Sequence, residues 1–458
     1  MLALAAGVFT IVAWRPAMAP IAAPAANSFD PASIKRGAEL AAIGNCDVCH
    51  TVPGGREFAG GRAVPTPFGK IYSTNITPDP KSGIGQWSQA AFQRAMRFGV
   101  RRDGAYLYPA FPYDHFTLVS DDDDNALYAF LMTRTPVSAP PLADRLPFPL
   151  NIRLLMFGWN LLFLHPGPYR ADTAHDAAWN RGVYLVDGLG HCGACHTPRN
   201  ALGAERADLK FSGGEVGGWT AYALNESSPA PVPWNAAALE HYLRDGYDDS
   251  HGVARGPMAE VVGDLHAAPT QDMHMIATYV AEEMNHAAPE RDAVVQGVER
   301  QRERGQTGAA AADSQGNALR AVDTKNDEGA VIYAGACAGC HEGPRALPYG
   351  GIDLMLTSAI SGPSADNLVN IVLYGLPAAE AARASIMPGF AGAMSDAQIG
   401  ALARYLRVRF SDKGRWTDIA KSVHDARSRA RVAAASHPVV VEPPSAATAK
   451  QAHNEAQH

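Results

Sequence analysis

Apolar residues recur at helical spacing in three stretches of this chain, and each stretch opens with a charged residue and a glycine. Apolar positions three and four residues apart place one face of a helix toward a core. The pattern therefore predicts three related amphipathic helices in tandem. They begin Arg36-Gly37-Ala38-Glu39-Leu40, Arg181-Gly182-Val183-Tyr184-Leu185 and Glu328-Gly329-Ala330-Val331-Ile332.

Two further helices are predicted after each of these. The second helix of each set closes on a glycine, which suits a helix C-terminus. The predicted spans are Trp87 to Gly99, Trp234 to Gly246 and Pro363 to Gly375. The third helix starts at a hydroxyl residue suited to an N-cap. These starting residues are Ser120, Thr270 and Ser395.

All six cysteines of the chain belong to three copies of Cys-x-x-Cys-His. Two thiols three residues apart can add to the two vinyl groups of one haem, and the adjacent histidine then lies against the iron as its proximal ligand. The sequence therefore predicts three covalently bound c-type haems. The copies are Cys46, Cys49 and His50, then Cys192, Cys195 and His196, then Cys337, Cys340 and His341.

Paired cysteines also occur in disulfide frameworks, zinc sites and thioredoxin-like redox centres. A zinc site needs about four ligands, usually from two paired motifs, and a histidine directly after the second cysteine is not typical of one. A redox Cys-x-x-Cys normally occurs once, beside a βαβ pattern, and this sequence shows no such pattern. These considerations favour haem attachment at all three copies.

The haem motifs begin at residues 46, 192 and 337, so the steps between them are nearly equal. Helix, haem motif, long loop, helix, helix is the layout of a small cytochrome c domain. It predicts an all-α fold of three tandem domains with loop-rich haem pockets. The predicted units are a signal peptide or membrane anchor (1–28), three cytochrome c domains (29–140, 176–290 and 326–412), an apolar segment (141–175), a polar linker (291–325) and a C-terminal tail (413–458).

The sixth ligand of each haem iron is expected in the loop between the second and third helices. Met258 lies there beside Pro257 in the second unit, and Met387 lies beside Pro388 in the third. A thioether ligand favours ferrous iron and raises the potential. The first unit has no methionine in this loop, and His115 is its predicted ligand. Bis-histidine ligation would lower the potential of haem 1 relative to the other two.

Several segments resemble the triple-haem cytochrome c subunits of membrane-bound bacterial dehydrogenases. The similar segments are Thr74 to Asp79, Gly83 to Ser88, Leu107 to Tyr113 and Cys192 to Asn200, and the likeness covers most of residues 29–412. Members of this family serve quinoprotein alcohol dehydrogenases, flavin-dependent gluconate-type dehydrogenases, and molybdenum-dependent aldehyde or N-heterocycle dehydrogenases. The resemblance implies that this chain passes electrons and that a partner subunit oxidises the substrate.

One loop distinguishes the branches of this family. In the alcohol- and gluconate-type members the distal loop of the first haem is similar to Pro-Ala-Met-Pro-Tyr, whereas this chain has Phe111 at the place of the methionine. The form found here resembles the molybdenum branch. That resemblance implies a molybdopterin catalytic subunit and a [2Fe-2S] subunit as partners, with ubiquinone or a terminal-oxidase chain as acceptor. The alternative is a cytochrome subunit of an alcohol or gluconate-type dehydrogenase.

The sequence predicts that the chain is not itself an enzyme. It contains no G-x-G-x-x-G opening a βαβ unit, no spare cysteines for an iron-sulfur cluster and no run of propeller-blade repeats. A multihaem peroxidase and a free-standing electron shuttle are the alternatives from other classes. The net charge of −7, from 39 basic and 46 acidic residues, does not indicate nucleic-acid binding.

Two apolar segments bear on location. Met1 to Trp14 is apolar and is followed by Ala17-Met18-Ala19, which fits a signal-peptidase site, so we expect export. Residues 146–165 are rich in leucine and aromatic side chains but are interrupted by polar residues such as Asn151 and Arg153. This suits either a helix at a membrane surface or one buried between domains. The expected location is the periplasmic face of the bacterial inner membrane, with a membrane anchor.

Overall fold

The computed structural model describes residues 12–285, 327–342, 351–376 and 387–436. The start of the N-terminal apolar run, the polar linker predicted at 291–325 and the end of the predicted tail lie outside these residues. Within them the structure is rich in helices, and its strands form three short two-stranded hairpins. The helical class agrees with the prediction, and the hairpins are an addition that the sequence pattern did not indicate.

The first unit surrounds the first haem motif. After a 3-10 turn at Ala26–Ser28, its helices are α1 (Pro31–Ile43), α2 (Cys46–His50), α3 (Gln89–Phe98), α4 (Tyr113–Phe116) and α5 (Asp121–Met132). Between α2 and α3 the chain forms an antiparallel hairpin of β1 (Ala63–Thr66) and β2 (Gly69–Tyr72), with Ala63 opposite Tyr72. A 3-10 turn at Arg153–Leu155 then leads into α6 (Met156–Phe163).

The second unit repeats this order with two hairpins. Its helices are α7 (Ala177–Val183), which continues as a π-helical turn (Tyr184–Leu189), α8 (Gly193–His196), a 3-10 turn (Ala207–Leu209), α9 (Ala236–Asp245), α10 (Pro257–Leu265) and α11 (Thr270–Asn285). The antiparallel hairpins are β3 (Gly214–Val216) with β4 (Trp219–Ala221), and β5 (Tyr247–Asp248) with β6 (Gly252–Val253).

The described residues of the third unit form helices joined by loops, with one isolated β-bridge between Leu376 and Met387. Its helices are α12 (Glu328–Ala336), α13 (Ala338–His341), α14 (Ser358–Ser361), α15 (Asp366–Tyr374), α16 (Asp396–Phe410) and α17 (Ile419–Ser436). The last of these lies in the segment predicted as a tail and packs against α15 and α16. The folded part of the chain therefore extends beyond residue 412, the predicted end of the third domain.

The helix ends follow the predicted signals. α3, α9 and α15 each end at the predicted glycine, and this glycine has a positive φ, which glycine adopts without steric cost. Its value is 62° at Gly99, 80° at Gly246 and 70° at Gly375. Ser120 and Ser395 cap their helices by accepting bonds from the N–H groups of Asp123 and Gln398, whereas α11 starts at Thr270 itself.

The first and last helices of each unit cross at a glycine. α1 packs on α5, α7 on α11, and α12 on α16. A Cβ at any of the three crossing glycines would overlap a backbone oxygen of the facing helix. The pairs are Gly37 with Ala126, Gly182 with Met275, and Gly329 with Ala401. Close backbone approach therefore explains why each first helix carries a glycine near its start.

The first two units share one hydrophobic core, to which Leu127 and Leu185 both belong, whereas Leu402 belongs to a separate core in the third unit. Polar bonds join the third unit to the second. The Asn367 side chain accepts from the N–H of Thr220 at 2.8 Å and donates to its carbonyl oxygen at 2.9 Å. The three units therefore form a closely packed pair and a third member docked through the β3–β4 hairpin.

Helix α6 lies in the apolar segment between the first two units. Phe157 and Trp159 are buried, and the Trp159 ring lies 5.8 Å from that of Tyr113. Leu161 and Leu162 on the same helix are 70% and 64% exposed. One face of this helix therefore packs on the protein, and the other is apolar and exposed. None of the helices in the described ranges is long and apolar enough to span a membrane.

Candidate haem sites

Each Cys-x-x-Cys-His motif lies in or at the start of a short helix, α2, α8 or α13, that follows the first helix of its unit. In the first two units the chain turns between these helices at a residue with positive φ, 49° at Asn45 and 39° at His191. One helical turn then places the histidine on the same side as the cysteines, because residues three and four apart share a helix face. A single porphyrin requires this arrangement.

The three motif histidines are held in the same way. In each, Nδ1 bonds to a backbone carbonyl oxygen, which fixes the tautomer and leaves Nε2 with its lone pair directed away from that contact. The pairs are His50 with Thr74 (2.6 Å), His196 with Tyr222 (2.6 Å) and His341 with Ile352 (2.9 Å). In the first two units, the carbonyl belongs to the segment just after a hairpin, so the hairpins position the imidazoles.

Burial supports the neutral form of the rings of His50 and His196. It lowers the pKa of His50 and of His196, and the carbonyl contacts with Thr74 and Tyr222 only partly oppose it. A neutral imidazole with a free Nε2 can bind iron, whereas an imidazolium cannot. The geometry and the protonation state of the two residues therefore both suit a proximal haem ligand.

One continuous cavity connects the second and third motifs. It is lined by Cys192, Cys195, His196 and Met258 of the second unit and by Cys337, His341 and Met387 of the third, together with mainly apolar side chains. The structure thus brings each predicted methionine into the same cavity as the histidine that it was predicted to face. An apolar cavity bounded by thiols, an imidazole and a thioether fits a c-type haem.

Local backbone geometry places the two methionines. Met258 follows Gly256 and Pro257 at the start of α10, and a Cβ on Gly256 would overlap the ring of Trp219. Met387 exchanges two backbone hydrogen bonds with Leu376, at 2.8 and 3.0 Å. Each methionine is therefore held by a constrained backbone segment, which fixes where its thioether enters the cavity.

The first unit differs at its distal side. Phe111, at the position of the family's methionine, packs against Phe116 with ring centroids 5.1 Å apart. Met96 and Met132 are 6% and 3% exposed and belong to the hydrophobic core shared by the first two units. These methionines occupy packed core positions within α3 and α5.

His115 lies at the boundary between the first two units. Its Nδ1 bonds to the carbonyl oxygen of Asp187 at 2.6 Å, and its Nε2 bonds to the Glu205 carboxylate at 2.7 Å. Both ring nitrogens are thus used by the second unit, and iron coordination would require the ring to leave one of these partners. His115 therefore differs from the two predicted methionine ligands, which share a cavity with their motif histidines.

The charge around His115 reinforces this pairing. Burial alone would lower the pKa of His115, but the hydrogen bond and charge of Glu205, aided by Asp114, raise it to about 9. Burial would raise the pKa of Glu205, but the hydrogen bond and charge of His115, aided by Arg199, outweigh it and lower the pKa. Ligand atoms of Asp114, His115 and Glu205 lie within 4.8 Å of one another, a spacing that could hold a cation, yet the imidazolium already supplies the positive charge there.

Four charged residues tie the first two units together near their helix crossings. Arg36 bonds to Asp123 of its own unit and to Asp272 of the second, both at 3.3 Å. Arg181 bonds to Asp272 at 2.9 Å and lies 3.5 Å from Asp123. Sequence analysis missed this ring of charges. The sequence signal for it was an arginine directly before the crossing glycine in the first two units. The third unit has Glu328 at this position.

Repeated helix sets, motif imidazoles with one nitrogen bonded to a backbone carbonyl, and an apolar cavity lined by thiols define this chain as a cytochrome of the c type. A family model described as cytochrome C oxidase, cbb3-type, subunit III, matches residues 324–406, which lie in the third unit. The longer likenesses are to subunits of dehydrogenases.

The chain is 44% identical over 425 residues to a nicotinate dehydrogenase subunit of Pseudomonas putida, and the match covers 92% of this chain and 34% of that protein. It is 35% identical over 393 residues to the fructose dehydrogenase cytochrome subunit of Gluconobacter japonicus, covering 83% of this chain and 80% of that one. It is also 35% identical over 423 residues to the gluconate 2-dehydrogenase cytochrome c subunit of Pantoea cypripedii, covering 89% and 92%.

This chain belongs to the family of dehydrogenase cytochrome c subunits. It is an electron-transfer subunit and not a catalytic one, and the family binds haem c covalently. The chain spans about a third of the length of the nicotinate dehydrogenase subunit and most of the length of the other two relatives.

Proposed function

We propose that this chain carries three haems c, one in each unit, and conducts electrons from a dehydrogenase partner to the respiratory chain. The supporting observation is the common setting of the three motif histidines, each with Nδ1 on a backbone carbonyl and Nε2 free for iron. Bound haem supplies one-electron exchange at its iron, and the protein supplies the position, the ligands and the apolar surroundings.

The proposed ligands follow from this setting. Cys46 and Cys49, Cys192 and Cys195, and Cys337 and Cys340 attach the three haems, and His50, His196 and His341 are the proximal ligands. Met258 and Met387 are the proposed sixth ligands in the second and third units, because both line the cavity that holds the motif histidines. The assignment of His115 to haem 1 stays a prediction, and the bonds of its ring to Asp187 and Glu205 do not favour it.

The proximity of the motifs supports electron transfer through the chain. The second and third motifs face one cavity. The segments that lead into the first and second motifs are in contact, because Nε2 of His191, which precedes Cys192, lies 3.3 Å from the carbonyl oxygen of Gly44, two residues before Cys46. Close spacing of all three sites is what a subunit that passes electrons along itself needs.

The proposed donor is a molybdopterin dehydrogenase with a [2Fe-2S] subunit that oxidises an aldehyde or an N-heterocycle. Two observations support it: the Phe111 form of the distal loop, and the 44% identity to a subunit named for nicotinate, an N-heterocyclic acid. A quinoprotein alcohol dehydrogenase or a flavin gluconate-type dehydrogenase is the second candidate. The relatives from such complexes favour it, because this chain covers 80% to 92% of their length.

The proposed acceptor is ubiquinone or a terminal-oxidase chain at the periplasmic face of the inner membrane. The exposed leucines of α6, Leu161 and Leu162, support contact with a membrane surface. Covalent haem attachment at Cys-x-x-Cys-His also requires export, which agrees with the apolar N-terminus.

The partner is tested on the native complex, purified in detergent through a tag on this chain. Metal analysis and low-temperature EPR are the measurements. Molybdenum together with [2Fe-2S] signals is the expected result, and it would identify the partner as a molybdopterin dehydrogenase. A complex with dehydrogenase activity but without these signals would contradict the molybdenum proposal and favour the alcohol or gluconate type. A chain purified with no stoichiometric partner would instead indicate a free shuttle.

A further inference from the structure

Helix α10 contacts two predicted haem sites. Its first turn carries Met258, which faces the second motif, while the helix also packs against α1 and α2 of the first unit. Its Glu260 pairs with Arg62 at 2.6 Å, and Arg62 donates to the carbonyl oxygen of Val48 inside α2 at 2.7 Å. The helix that holds a predicted ligand of haem 2 thus also supports the attachment segment of haem 1.

Asp264, near the end of α10, is the acidic group that approaches this attachment segment. Its Oδ2 is buried and has no hydrogen-bond partner among the described residues. Burial raises the pKa of the Cys46 thiol to about 12, and the Asp264 carboxylate is the largest of the charges that add to this effect. The helix that carries Asp264 packs against α2, which holds the two cysteines proposed to attach haem 1.

A partly buried carboxylate with one oxygen left without a hydrogen bond is costly to ionise. Burial and the neighbouring Asp47 raise the pKa of Asp264 to about 6, with Glu260 adding to the effect and the Val48 backbone opposing it. The group can therefore change its charge near neutral pH.

We propose that Asp264 is a proton site coupled to the oxidation state of haem 1, supplied to the first unit by the second. This inference rests on the proposed function. When site 1 gains one electron from its dehydrogenase donor, the positive charge at the iron falls by one, and the carboxylate takes up one proton from solvent to become a carboxylic acid. Asp264 would act on the haem through its charge and would not touch the iron.

Other charged groups surround α10. The carboxylates that repel the charge of Asp264 are Asp47 on α2 and Glu260 on α10 itself. The titratable and charged groups on the segments packed against α10 are Lys35, Arg36 and Glu39 on α1, Cys46, Asp47, Cys49 and His50 on α2, Arg62 in the following loop, Glu240, His241, Tyr242, Arg244 and Asp245 on α9, and Glu260 and His266 on or beside α10 itself.

The test is a potentiometric titration of the holoprotein between about pH 5 and pH 8. The wave of haem 1 is identified as the one lost when Cys46 and Cys49 are both replaced by alanine. We expect its midpoint potential to fall as pH rises, because the ionised carboxylate stabilises the ferric state. In Asp264→Asn the potential at neutral pH should rise by about 59 mV, a tenfold change for a one-electron couple, and its dependence on pH should flatten.

Two variants complete the experiment. Asp249→Asn removes an exposed carboxylate from the same unit and should leave the wave of haem 1 unchanged. Asp47→Asn removes repulsion from Asp264 and should move the pH-dependent region to lower pH, which tests the inference even if Asp264→Asn fails to fold. An Asp264→Asn protein that keeps the original slope and potential would overturn the proposal. Failure of the proposed function itself would give a different result. The measured mass of the intact chain would then lack the haem expected at site 1.

Discussion

His115 of the first unit and Glu205 of the second form a buried ion pair, with Nε2 2.7 Å from the carboxylate oxygen. The two side chains are 13% and 19% exposed. The pair lies beside the second haem motif, since a Cβ on Gly193 of that motif would lie 3.1 Å from the His115 ring. The residue predicted to bind the first iron therefore connects the first unit to the attachment segment of the second.

Replacing His115 with glutamine tests this role. We expect the variant to be less stable by about 1–3 kcal/mol, because Glu205 loses a charged hydrogen-bond partner, and we expect near-infrared magnetic circular dichroism of the haems to stay unchanged. Thermal unfolding followed by haem absorbance measures the first effect. His274→Gln is the matched control, since His274 also pairs with a glutamate but is 62% exposed, and such pairs contribute little. Loss of a bis-histidine band in His115→Gln would show that His115 binds iron.

The proposed methionine ligands are tested by Met258→Ala and Met387→Ala. Each variant should convert one haem from low-spin to high-spin and lower its midpoint potential, because a thioether ligand stabilises ferrous iron. EPR and redox titration measure both effects. Met96→Leu, a change at a buried methionine in the core, should leave the spectra unchanged. Unaltered spin states in both alanine variants would exclude these residues as ligands.

Local sequence signals predicted the recurring parts of this fold. Glycine ends such as Gly99 and caps such as Ser120 depend on residues close in sequence, and the structure has both where they were predicted. The contact between Arg36 and Asp272 joins residues 236 positions apart, and no local pattern determines such a pairing. Loop position alone points to His115 as a haem ligand, and it carries no information about a distant partner such as Glu205.

The helix crossings predict a sharp difference between two glycines of α12. Gly329→Ala should destabilise the third unit by about 1–3 kcal/mol, because a Cβ there overlaps the backbone of Ala401. Gly335→Ala in the same helix should be neutral or stabilising by up to about 1 kcal/mol, since no atom of the described residues lies within 4 Å of the added Cβ. Chemical unfolding followed by haem absorbance compares the two. Equal effects would show that α12 and α16 do not cross at Gly329.

The ring of charges between the first two units predicts a dependence on pH. Burial would raise the pKa of Asp272, but Arg181 and Arg36 outweigh it and lower the pKa. A carboxylate with a lowered pKa stabilises the fold above its unfolded value near 4, and this contribution is lost as pH falls through the folded value. Asp272→Asn should therefore cost about 2 kcal/mol at neutral pH and progressively less in acid.

The control for this prediction is Asp122→Asn, which changes an exposed carboxylate in the first turn of α5. Unfolding by denaturant is measured for both variants across the acid range. The Asp122 variant should follow the native protein at every pH. A constant difference between Asp272→Asn and the native protein down to strongly acid pH would contradict the assigned charge state of Asp272.

The central claim is that each of the three units binds one haem covalently. It is tested by the intact mass of the exported chain under denaturing conditions, together with variants in which both cysteines of one motif are replaced by alanine. The account predicts a mass increase of three haems for the native chain and of two for each variant. A native chain with fewer than three haems, or a variant that keeps three, would contradict it.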